Sequence, residues 1–72
     1  MSSHKLMRLV EKAGAVFERE GRGDHAICRR EVKGRVKKAP ILEAKSDLPG
    51  DYCLIVFKQL GLSDEEINRL FE

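Results

Sequence analysis

His25 is the residue of this chain best suited to move a proton, because imidazole titrates nearer neutrality than any other side chain. It comes straight after the glycine turn Gly21-Arg22-Gly23-Asp24 and opens the run His25-Ala26-Ile27-Cys28-Arg29-Arg30. Residues 22–38 hold seven cations, Arg22, Arg29, Arg30, Lys33, Arg35, Lys37 and Lys38, against Asp24 and Glu31. A base beside cations is what cleavage of a phosphodiester without a metal requires. RNA carries its own nucleophile, the 2′-hydroxyl, so a positioned base that removes its proton gains roughly 10²–10⁴-fold. Cations nearby neutralise the charge that develops on phosphorus. Arg29 shares a strand face with His25, which makes it the first candidate for phosphate contact.

The charge distribution agrees with a polyanion partner. The chain of 72 residues carries a net +2, but residues 22–38 alone carry +5, residues 1–21 carry +1 and residues 43–72 carry −4. A basic middle and an acidic end predict one surface for nucleic acid and another facing water or protein. The length predicts one small domain over 1–72 with a thin core. Cys28 and Cys53 lie far apart with no C-x-x-C spacing, and read as reduced core thiols. The two histidines and two cysteines lack the spacing of metal ligands, so no metal or other cofactor is expected. The longest apolar run, Leu54–Phe57, is too short to span a membrane, and nothing resembles a signal peptide. A cytoplasmic protein is expected.

The elements that must position His25 follow from periodicity. Leu6, Leu9, Val10 and Ala13 recur at helical spacing over Ser3–Ala13, with Ser2 or Ser3 to cap the start and Gly14 to end it. Strands are predicted over Ala15–Glu20 and His25–Arg30, with a loop through Glu31–Gly34 and a third, edge strand over Arg35–Ala39 stopped by Pro40. Asp47 or Ser46 caps a second helix with Pro49 in its first turn, Cys53, Val56, Phe57 and Leu60 forming its stripe and Gly61 its end. Ser63 and Glu66 have capping-box spacing and open a third helix. Phe17, Phe57 and Phe71 read as core. On the second strand His25, Ile27 and Arg29 oppose Ala26 and Cys28, and neither set is marked as the buried one. The order α-β-β-β-α-α predicts an α+β fold, a three-stranded antiparallel sheet with helices on one face.

The chain resembles the HicA (YcfA-like) toxins, small mRNA interferases with a double-stranded-RNA-binding-domain-like fold. Lys5-Leu6-Met7-Arg8-Leu9-Val10-Glu11-Lys12-Ala13-Gly14 is similar to that family's opening helix, and Gly23-Asp24-His25 stands where the family carries G-S-H. Pro40 falls where its third strand ends, Asp47-Leu48-Pro49-Gly50 resembles its D-L-P-x-G, and Lys58–Glu66 resembles its K-x-A-G-L-S-x-E-E. The resemblance implies a type II toxin that cleaves mRNA with a single histidine, His25, and is held by a HicB-type antitoxin. It implies that Gly23 lets the strand start close to substrate, and Arg29, Arg22, Arg30, Lys37 and Lys38 are then the candidates to bind RNA. Asp24, Ala26 and Cys28 depart from the family's usual serine, second basic residue and aromatic. An inactive RNA-binding or protein-interaction module on the same fold is the alternative expectation.

Overall fold

A computed structural model describes residues 1–44 and 46–72. The chain runs α1 (Ser3–Lys12), β1 (Val16–Glu20), β2 (His25–Val32), β3 (Arg35–Leu42), α2 (Gly50–Gln59) and α3 (Asp64–Leu70). It is an α+β fold of order α-β-β-β-α-α, and the sheet is antiparallel with β2 central between β1 and β3. The core forms between one sheet face and the helices. Ala26, Cys28, Ala39 and Ile41 line the sheet side, and Leu6, Val10, Val56, Phe57 and Leu60 the helix side. α1 and α2 pack against β3, and α1 also meets β2 where the Cys28 Sγ lies 3.4 Å from the Met7 Sδ. His25, Ile27 and Arg29 therefore stand on the face that no helix covers. Both cysteines are free and buried, and burial pushes each thiol upward, which keeps them unreactive.

Several expected boundaries differ. The loop after β2 shrinks to Lys33-Gly34, with φ of 51° and 80°, the double left-handed turn of a tight hairpin. β3 passes straight through Pro40, which pairs with Ile27. On an edge strand the proline nitrogen faces away from the ladder, so its missing N–H breaks no sheet bond. The Tyr52 hydroxyl satisfies that edge, accepting from the Leu42 N–H at 3.0 Å and donating to the Pro40 carbonyl at 3.4 Å. Neither Ser46 nor Asp47 caps α2; Pro49 takes the N-cap position without a side-chain bond. Phe17 and Phe71 are not core, being 51% and 55% exposed, although Phe71 keeps an edge contact with Phe57 at 6.3 Å between ring centroids.

The helix ends follow their sequence signals. Ser2 accepts from the Lys5 N–H, and Ser63 and Glu66 complete a capping box. Gly61 turns the chain between α2 and α3 at φ +79°, and a Cβ there would stand 3.1 Å from Val32 and 3.3 Å from Lys37. Gly61→Ala is expected to cost about 1–2 kcal/mol from the left-handed backbone alone, measured as a lower urea midpoint with unchanged slope.

Candidate functional site

The turn before β2 fixes the histidine. Gly23 adopts φ +63°, a left-handed conformation that favours glycine, with no protein atom within 4 Å of where a Cβ would stand. The chain doubles back there, and His25 Nδ1 meets the Arg22 carbonyl at 2.9 Å. A carbonyl only accepts, so Nδ1 donates and the neutral ring carries its proton on that nitrogen. Nε2 is left as the basic nitrogen, and among the described residues the ring makes no other hydrogen bond.

The register places the cations. Arg29 is on the open face, but four residues along β2 from His25, which is about 13 Å. It stands directly opposite Lys38, also on the open face. Two like charges in that position repel, and Glu18 relieves the repulsion by bonding Lys38 at 3.0 Å. Arg29 and Lys38 thus form a cationic step further along the face from His25. Arg22 is exposed on the turn, and its carbonyl holds the imidazole.

Arg30 and Lys37 belong to the other side. They pair with each other on the helix-facing side of the sheet, with the Lys37 stem beside Gly61. The Arg30 guanidinium is committed. It donates to the Ala13 carbonyl at 2.9 Å, to the Leu60 carbonyl at 3.2 Å and to Glu66 at 2.6 Å. These two residues do not join His25 on one surface, because strand alternation turns residue 30 away from residues 25 and 29.

Two residues that the sequence left out stand near His25. Gly21 pairs with it, the Gly21 N–H donating to the His25 carbonyl at 2.7 Å, and a Cβ on Gly21 would meet Ile27 Cδ1 at 2.8 Å. The missing side chain at Gly21 thus lets Ile27 pack over the turn beside His25. Arg19 lies opposite Ile27 because β1 carries a bulge between Phe17 and Arg19. Nothing in the local sequence marks the bulge.

An anionic cluster sits at the same end of the sheet but on the side facing α1, with Glu20 opposite Ala26 and Glu43 lining a concavity with Ser3, His4, Met7 and Ile41. The Glu43 N–H donates to the Asp24 carbonyl, and the Glu43 carboxyl is pushed above its usual range, first by the Glu20 charge and then by burial, a hydrogen bond with Glu20, and Asp24. The raised value sets a pH dependence. The folded state holds this proton more tightly, so the associated stability is present below the ordinary glutamate pKa and lost as pH rises through the raised one. Glu43→Gln is therefore expected to raise the thermal midpoint at pH 7 and to leave it unchanged below about pH 4, read by circular dichroism.

Among the described residues no three His, Cys, Asp or Glu side chains gather where a metal would sit, and no helix is long and apolar enough to cross a membrane. A concavity of about 550 Å³ lined by His4, Lys5, Arg8, Leu9 and Lys12 is on the exposed side of α1, and His25 does not line it. His25 stands on an open face of the sheet. No family model, curated protein or solved structure matches the chain, so the chemistry of this face is carried by its own residues.

Proposed function

We propose that the chain is a metal-independent endoribonuclease that cuts mRNA in the cytoplasm, the toxin half of a HicA-type toxin–antitoxin pair. The observation that carries this reading is the His25 ring, tied through Nδ1 to the Arg22 carbonyl with Nε2 free on an open, cationic sheet face. Nε2 takes the proton of a 2′-hydroxyl, and the 2′-oxygen forms a bond to the adjacent phosphorus. The bond from phosphorus to the 5′-oxygen breaks, and that oxygen takes a proton from solvent or from the imidazolium. The products are a 2′,3′-cyclic phosphate and a 5′-hydroxyl. The motif resemblance around Gly23-Asp24-His25 and Asp47-Leu48-Pro49-Gly50 supports the same reading and supplies the partner, a HicB-type antitoxin that covers the His25 face.

A second reading is a relative that binds RNA or an acidic protein through Arg29 and Lys38 without cutting, since Asp24 puts an anion directly before His25. Purified chain incubated with RNA in excess chelator separates the two. Fragments ending in cyclic phosphate support the nuclease. Intact RNA, with binding that weakens steeply with salt, supports the RNA-binding module. Binding to neither cut nor intact RNA leaves the protein-interaction module.

A further inference from the structure

An unbroken pleat would point Arg19 at the helices. Phe17 pairs with Cys28, whose side chain is in the core, and two residues along a regular strand is the same face. The bulge reverses this. One extra residue, Glu18, sits between the pairs Phe17–Cys28 and Arg19–Ile27, so Arg19 shares the open face with Ile27 and His25. Bulges re-aim side chains in this way, and they occur preferentially beside active sites. Arg19 is the diagonal neighbour of His25, about 7–8 Å away along the backbone, whereas Arg29 is about 13 Å away. Gly21 faces His25, and the Ile27 side chain packs over it, its Cδ1 2.8 Å from where a Cβ would stand, so the guanidinium reaches the ring across Ile27.

The guanidinium is available. Its side chain is 65% exposed and, among the described residues, is held only by a 3.6 Å ion pair to Glu18 and a 3.4 Å bond to the Glu20 carbonyl. Exposed contacts of that length are weak, so a phosphate can replace them.

We propose that Arg19 is the phosphate-binding arginine of the His25 site, its guanidinium gripping the nonbridging oxygens of the phosphate attacked by the 2′-oxygen. The proposal rests on the RNA reading and adds a residue to it. Charge grows on those oxygens as the 2′-oxygen bonds to phosphorus, and a planar donor fork meets two of them at once. The bulge is then a part of the site: it brings a cation to the scissile phosphate that the basic run of the sequence does not provide.

Wild type, Arg19→Ala, Arg19→Gln, Arg19→Lys and His25→Ala are compared in two assays, single-turnover cleavage of RNA and binding of an uncleavable 2′-O-methyl RNA oligomer across a salt series. Removing the arginine is expected to slow cleavage about 10²–10³-fold with thermal melting unchanged. It is also expected to lower the slope of log affinity against log salt by about 0.7, the loss of one phosphate contact on a single strand. Arg19→Lys restores the slope and not the rate, because the charge returns without the fork. An unchanged slope in both Arg19→Ala and Arg19→Gln overturns the proposal whatever the rate does. Wild type that binds the oligomer and cuts nothing ends the nuclease reading, and Arg19 is judged on the slope alone. Wild type that neither cuts nor binds overturns both.

Discussion

His25→Ala is expected to slow RNA cleavage by about 10²–10⁴-fold, the usual worth of a positioned general base, and so to turn a growth-arresting protein into a harmless one when expressed in bacteria. The substitution does two things at once. It removes Nε2, the base, and it removes the Nδ1 bond that holds the turn to the Arg22 carbonyl. The second loss costs about 1 kcal/mol of stability, which is small beside the expected loss of rate. His25→Asn separates them, because its amide N–H occupies the place of Nδ1 and can donate to the same carbonyl while nothing replaces Nε2. Both variants are expected to be inactive, with His25→Asn melting close to wild type. If His25→Asn cuts RNA at the wild-type rate, the ring is an anchor for the turn and not a base.

The helices were legible because their signals are local. The Ser63 and Glu66 spacing, Gly61 and the stripe of Cys53, Val56, Phe57 and Leu60 need no knowledge of distant residues, and each stands where its spacing puts it. The sheet is different, since what a strand residue does depends on its partners. Pro40 ends a strand only if its nitrogen must donate to a neighbour, and at the β3 edge it does not. The open face of β2 could not be chosen from the strand itself, because Ala26 and Cys28 are smaller than Ile27 yet are the pair the helices press upon. His25 was readable from its type and its turn. Arg19 was not: a single extra residue in β1 changes the parity of everything after it, and only the pairing with β2 reveals the change.

Arg30→Ala is expected to destabilise the fold by about 2–3 kcal/mol, the scale of losing charged hydrogen bonds to groups that keep no substitute, while leaving RNA affinity and its salt dependence untouched. The reason is where its three bonds go. Ala13 and Leu60 are the C-caps of α1 and α2, and Glu66 is in the first turn of α3. Helix C-terminal carbonyls lack intrahelical donors and carry the negative end of the dipole, so one guanidinium, with its side chain only 12% exposed, ties three helix ends to β2. Arg30→Lys is expected to recover little, since a single ammonium cannot reach three acceptors in a fixed plane. In a domain this small the loss lowers the thermal midpoint by about 10–20 °C. Acid weakens the tie. The Ser63 backbone bond, opposed by burial and aided by Arg30, holds the Glu66 carboxyl below the usual range. The stability it supplies is present above the ordinary glutamate pKa and lost as pH falls through the lowered one, so wild type and Arg30→Ala converge toward low pH. An Arg30→Ala protein that melts like wild type but binds RNA with a shallower salt dependence would instead return Arg30 to the RNA track. A low midpoint with an unchanged slope leaves Arg29, Lys38 and Arg19 as the cations of the open face.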